Sequence, residues 1–129
     1  MRLLLDTHVL IWWLQDNPRL GPRPRALIAG GTVEVLFSAA SCWEATIKHR
    51  LGKFELPGSA LFRMGSDAGL NFIGIETDHL AQLESLPTIA KHGDPFDHLL
   101  LAQTLAEAAV LMTADRKMPQ YGVRCIGVR

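Results

Sequence analysis

Leu3-Leu4-Leu5-Asp6-Thr7 is the stretch on which the fold class turns. Three consecutive leucines with no polar alternation suit a strand that is covered on both faces. Strands of that kind belong to parallel sheets flanked by helices. An acid directly after a buried leucine run is costly unless it is paired, so Asp6 needs either a partner or a task. Val9–Leu14, with Trp12 and Trp13, reads as a helix that stops at Asp16-Asn17-Pro18. Its apolar residues are too continuous for a single stripe, so either its own domain covers the remainder or a partner does.

Further along, the same alternation of strand and helix repeats. Pro24–Ala29 reads as a short helix stopped by Gly30-Gly31, and Val33–Phe37 as the second strand. Ala39–Leu51 is a helix closed by Gly52. After a turn at Leu56-Pro57-Gly58 come a weaker helix over Ala60–Asp67 and a third strand over Phe72–Ile75. Thr77 or Asp78 caps a helix that runs to about Ser85. Asp94 opens a long, nearly all-apolar helix to Ala109, and Val110–Met112 forms the fourth strand. Arg124–Ile126 is a short candidate fifth. Strands alternating with helices indicate an α/β domain with a parallel sheet of four or five strands. The right-handed crossover rule then puts helices on both faces.

At 129 residues the chain is expected to be one domain, 1–129, large enough to need neither disulfide nor structural metal. Formal net charge is zero, which argues against a general nucleic-acid coat protein but leaves room for a local basic groove. Cys42 and Cys125 lack any paired-ligand spacing and read as buried, reduced and inert thiols, which argues against a four-ligand zinc site. Asp6 interrupts the opening leucines too early for a signal peptide, and no apolar run is long enough to span a bilayer. A cytoplasmic location is expected.

In a parallel sheet each chain segment leaves its strand at the carboxyl edge, and ligands bind where strand order reverses. Asp6 follows strand one. Glu44 lies in the first turns of the helix after strand two. Asp97 lies in the first turn of the helix leading to strand four, and Asp115 comes just past that strand. All four map to one edge. Each has a plainer reading. Ser41-x-x-Glu44 is a capping box, and Asp115 a turn residue. Asp94 is an N-cap with Pro95 at the first helical position, and Asp97 complements the helix dipole. Jointly they are harder to dismiss. Two carboxylates ~4 Å apart at an effective dielectric near 20 repel by about 4 kcal/mol, and no buried Lys or Arg is evident among them. A hard divalent ion, Mg²⁺ or Mn²⁺, is the natural counter-charge. Thr7 and Thr113 adjoin proposed acids and could orient carboxylates from behind, or be ordinary strand-end threonines. Lys48, Arg50 and Lys53 follow Glu44, and Arg116 and Lys117 follow Asp115. These are candidate phosphate-backbone contacts, with a solvated charged face as the plainer reading.

Four segments occur together in this order: Leu3-Leu4-Leu5-Asp6-Thr7-His8, Ser38-Ala39-Ala40-Ser41-Cys42-Trp43-Glu44, Asp94-Pro95-Phe96-Asp97 and Thr113-Ala114-Asp115. With them the chain resembles the PIN-domain ribonucleases, most of all the VapC-type toxins of bacterial toxin–antitoxin pairs. The resemblance spans essentially the whole chain. It implies a three-layer α/β/α sandwich and a Mg²⁺- or Mn²⁺-dependent endoribonuclease that hydrolyses RNA, such as tRNA or rRNA, by metal-activated water. A 5′-phosphate product is then expected. It implies metal ligation by Asp6, Glu44, Asp97 and Asp115, with Asp94 as a supporting residue, a homodimer, and a small antitoxin that holds the enzyme inactive. Relatives often carry Arg on either side of the Asp-Pro-Phe-Asp run, where this chain has Gly93 and His98; charge near the phosphate is thereby reduced or pH-dependent.

Two rivals stand beside this reading. A phosphatase of the haloacid-dehalogenase type would want a second Asp two residues after Asp6, where His8 stands. A catalytically inactive PIN-like module that only binds a regulator or RNA would keep the fold without the chemistry. A partner helix is expected on the apolar surface near Trp12, Trp13 and Ala60–Met64.

Overall fold

β1 (Arg2–Leu5) runs through the middle of a five-stranded sheet in the computed structural model, which describes residues 1–129. The strand order is β3 (Asn71–Ile73), β2 (Glu34–Ser38), β1, β4 (Val110–Met112), β5 (Cys125–Ile126), and every pair is parallel. Six helices cover it: α1 (Thr7–Leu14), α2 (Pro22–Ala29), α3 (Ala39–Arg50), α4 (Gly58–Asp67), α5 (Thr77–Glu84) and α6 (Pro95–Ala106). The architecture is a three-layer α/β/α sandwich. No helix is long and apolar enough to cross a membrane.

The leucine run at the start of the chain explains the layering. Successive strand side chains point to opposite faces, and Leu3, Leu4 and Leu5 are all fully buried. Leu3 and Leu5 join one apolar cluster with Val9, Leu10, Phe37 and Leu61; Leu4 joins the other with Leu36, Leu100 and Leu111. One strand thus feeds both cores, which a strand with one wet face could not do.

Close packing of α3 on α4 depends on Gly58. A Cβ there would lie 2.0 Å from the Cys42 carbonyl oxygen and 2.2 Å from Thr46 Oγ1. At the amino edge of the sheet, Arg2 bonds both Glu34 and Glu107. Glu107 also accepts from His79 Nε2 at 2.8 Å. The His79 bond, reinforced by Arg2, holds the Glu107 carboxyl below its ordinary range.

Several boundaries differ from expectation. α5 is capped by Glu76, not by Thr77 or Asp78: the backbone N–H of Glu76 donates to His79 Nδ1 in a reciprocal capping box. α6 ends at Ala106, and Ala108 adopts φ +50, so the chain turns before β4. α1 begins at Thr7 and α2 at Pro22, each two residues early. A 3₁₀ turn at Met118–Tyr121 was not anticipated. Cys42 and Cys125 are free but only half-buried, and burial pushes both thiols up to about 11, which leaves them poor nucleophiles. Of the expected apolar docking surface, Leu61 is wholly buried, Trp12 and Trp13 pack partly against the core, and Phe62 stays 45% exposed.

Candidate metal centre

Strand order reverses beside β1. The chain builds outward through β2 and β3, then crosses to β4 and β5 on the other side. The crevice between the carboxyl ends of β1 and β4 is where such sheets bind ligands. A cleft of about 280 Å³ lies there, lined by Asp6, Glu44, Asp94, Asp97 and Asp115 together with Lys48, His8 and Trp12. The structure thus brings the four acids that the sequence mapped to this edge, and Asp94 with them, into one cavity.

Each acid is held by a different local device. Asp6 caps α1. Its Oδ1 accepts the Thr7 backbone N–H at 2.7 Å and its Oδ2 accepts the Thr113 hydroxyl at 2.6 Å. Thr113 Oγ1 in turn accepts the Asp115 N–H at 3.0 Å. That one hydroxyl ties the end of β1 to the loop after β4. The Thr7 side chain does something else: it donates to Ser41 Oγ at 2.9 Å, fastening α1 to α3. Asp94 caps α6, accepting from the N–H groups of Phe96 and Asp97. Its carboxylate is occupied as the sequence implied, with Asp97 delivered in the first turn.

Glu44 is a correction. The N-cap of α3 is Ser38, whose hydroxyl accepts the Ala40 N–H. Ser41 is therefore inside the helix, bonded to Thr7, and no Ser41–Glu44 capping box forms. Glu44 sits in the second turn, only 3% exposed. Lys48, one turn on, donates to Glu44 Oε2 at 2.6 Å. The sequence showed no buried Lys or Arg among the acids; the structure adds a half-buried one, because an i,i+4 pair brings Lys48 into the cleft. Burial works to lower the Lys48 ammonium, but the bond to Glu44 together with the negative charges of Glu44, Asp94 and Asp97 outweighs it, and the net shift is upward.

The sequence reading also missed His92. Its Nε2 lies 3.0 Å from Asp97 Oδ2 and 4.0 Å from Asp115 Oδ2, and its Nδ1 lies 2.7 Å from the Tyr121 hydroxyl. His98 Nε2 reaches the same hydroxyl at 3.1 Å. One proton arrangement satisfies the row: His98 donates to Tyr121, Tyr121 to His92, and His92 to Asp97. The only signal in the sequence was a histidine five residues before Asp97, a spacing that corresponds to no regular element.

Electrostatically the cleft is overloaded. Burial, opposed by the His92 bond and aided by Asp6, Asp94 and Glu44, pushes the Asp97 carboxyl up to about 6. Burial likewise raises Asp6, against the pull of the Thr113 and Thr7 bonds. A set of oxygen donors carrying more negative charge than one lysine offsets suits a hard divalent cation. One ligand atom each from His92, Asp97 and Asp115 lie within 4.8 Å of one another. The residues present fit such an ion.

The basic residues divide. Lys48 lines the cleft and is paired. Arg116 lines a neighbouring cavity. Arg50, Lys53 and Lys117 are exposed and line neither space. α3 starts at the carboxyl edge and runs away from it at 1.5 Å per residue, so Arg50 ends up about 9 Å further along than Glu44.

A family model for the PIN domain matches residues 3–123. A comparison with curated proteins finds no significant match. Among solved structures, the chain is similar to VapBC2 from Rickettsia felis bound to a promoter DNA fragment, at 15% identity and TM-score 0.74, with 100% of each chain covered. It is also similar to DNA-bound VapBC from Salmonella typhimurium, at 17% identity and TM-score 0.68 over 100% of this chain and 99% of that one. VapBC-1 from nontypeable Haemophilus influenzae gives 17% identity and TM-score 0.68 over 98% of each chain. At such identities the likeness is one of fold.

Proposed function

The chain belongs to the PIN domain family, and from that premise we propose that it is a Mg²⁺- or Mn²⁺-dependent endoribonuclease, the toxin of a VapBC-type pair. The observation that carries the reading is the convergence of five carboxylates on one cleft, with Asp97 pushed up to about 6. A purely structural cluster would have no reason to hold so much uncompensated charge. The VapBC complexes among its structural neighbours support a small antitoxin protein as partner. Cytoplasmic location and a homodimer belong to the same proposal.

Asp6, Asp97 and Asp115 would hold the principal ion, with Glu44 contributing directly or through water. When bound, the ion supplies Lewis acidity: it lowers the pKa of water and neutralises charge on the phosphate oxygens. The protein's own residues do the rest. Thr113 fixes Asp6 and the Asp115 loop in one register. His92, steadied by Tyr121, orients Asp97. Lys48 holds Glu44 in place and offers the phosphate a positive neighbour. Water adds to phosphorus in line and the 3′-oxygen leaves, giving a 5′-phosphate and a 3′-hydroxyl; the 2′-hydroxyl takes no part.

The test is cleavage of total cellular RNA by antitoxin-free protein in Mn²⁺ and in Mg²⁺, beside an EDTA control and an identically prepared Asp97→Asn variant. Discrete metal-dependent fragments that the variant does not produce are expected. Folded protein that cuts nothing would overturn the nuclease reading in favour of an inactive binding module.

A further inference from the structure

We propose that the cavity beside the acidic cleft is the groove for the unpaired RNA strand flanking the scissile phosphate, with Trp12 and Arg19 as its stacking platform and Arg116 and Arg129 as its phosphate contacts. This rests on the nuclease reading above. The cavity measures about 920 Å³ and shares Trp12, Ala114 and Asp115 with the cleft, so the two adjoin. Their charges are opposite. Five carboxylates line the cleft, whereas three arginines line the groove and Asp115, at the junction, is its one acidic side chain. A polyanion whose reacting phosphate lies at the acids needs cations beside them, and that is what the groove provides.

The arginines are free to act. None of Arg19, Arg116 and Arg129 takes part in an ion pair within the chain. Arg25 makes the contrast: it is occupied by Asp16 and by the carbonyls of Leu20 and Asn17. Unpaired guanidiniums present their planar donor fork to phosphate oxygens. Their placement follows from the backbone. The Asn17 side chain accepts the Arg19 N–H and so shapes the loop after α1. Gly21 N–H donates to the Val128 carbonyl at 2.7 Å, and a Cβ on Gly21 would come within 3.0 Å of Arg129 Cα. Glycine there lets the loop and the segment after β5 close on one another, bringing Arg19 and Arg129 to the same cavity.

The platform indicates an unpaired strand. The Arg19 guanidinium lies 5.8 Å from the Trp12 ring centroid. Aromatic faces and guanidinium planes stack on single-stranded bases, whose π-faces are hidden in a duplex.

Binding is measured by fluorescence anisotropy with a labelled single-stranded RNA of mixed sequence. Mg²⁺ is present, and all variants are made on an Asp97→Asn background so that the probe survives. Arg116→Ala/Arg129→Ala is expected to weaken binding at least ten-fold and to flatten the dependence of log affinity on log salt by about 0.7 per arginine. Trp12→Ala is expected to lose roughly ten-fold with the slope unchanged, and Trp12→Phe to recover most of it. Circular dichroism confirms folding, and the exposed arginines keep the test sound if Trp12→Ala does not fold. A double-arginine variant with the parent's affinity and salt slope overturns the groove, as does a duplex of equal length binding more tightly than the single strand. Hydrolysis of bis(p-nitrophenyl) phosphate by the unmutated protein in Mn²⁺ separates the two readings, since that small diester needs only the cleft. Diester turnover with unaltered RNA binding by the arginine variant removes the groove alone; no metal-dependent hydrolysis of diester or RNA removes the nuclease reading and the groove's role with it.

Discussion

His92 Nε2 stands 3.0 Å from Asp97 Oδ2, joining the loop before α6 to the first turn of that helix. The bond favours the ionised carboxylate, against the burial that drives Asp97 up. His92→Ala should therefore move the ionisation of Asp97 to higher pH. Groups that orient a metal ligand from behind are typically worth 10–100-fold in affinity, and a loss in that range at neutral pH is expected on Mn²⁺ titration by calorimetry. Unchanged affinity would mean that His92 serves only to anchor Tyr121.

Asp97 also gives the metal-free protein a pH signature. Its folded carboxyl titrates at about 6 against an ordinary value of 3.8. The group's contribution to stability is fully present below about 3.8 and is lost as pH rises through about 6. One unit corresponds to about 1.36 kcal/mol, so the loss is at most about 3 kcal/mol. Thermal melts in EDTA should show unmutated protein losing stability relative to Asp97→Asn across that window. The Mg²⁺-induced rise in Tm should grow over the same range, because the ion takes the ionised carboxylate. Parallel melting curves for the two proteins at every pH would contradict this.

Lys48 is the cleft's built-in counter-charge. Removing it by Lys48→Met leaves buried Glu44 without its cation. Stranding a buried charge costs on the order of 3 kcal/mol. Chemical denaturation should show that loss in EDTA and a smaller one in Mg²⁺, where the ion supplies the missing charge. Equal losses in both would place Glu44 outside the metal's reach.

Gly58→Ala tests the contact between α3 and α4. The added Cβ would overlap the Cys42 carbonyl, which is backbone and cannot swing aside. The helices must separate, at about 2 kcal/mol or more. A urea midpoint within error of the unmutated protein's would show that the two helices slide freely.

Local chemistry alone determined a good deal here. A short leucine run without alternation, ended by Asp6, suits a strand buried on both faces, and with the alternation of strands and helices it pointed to the parallel sheet, the layering and the edge at which Asp6, Glu44, Asp97 and Asp115 would meet. Asp94-Pro95 announced the start of α6 because an N-cap and a proline at the first helical position act through their own backbone neighbours. Other features depended on where the chain folds back. Ser41-x-x-Glu44 matched a capping box, yet helix α3 is capped three residues earlier, by Ser38, and the Ser41 hydroxyl instead accepts from Thr7 of another helix. Thr113 links Asp6 to Asp115 across two strands. His92 meets Asp97 over a helix start, and Arg19 and Arg129 share a wall only because Gly21 lets distant segments close together. Contacts set by the period of a strand or the first turn of a helix are written in neighbouring residues; contacts between segments a hundred residues apart exist only once the core has chosen their distance.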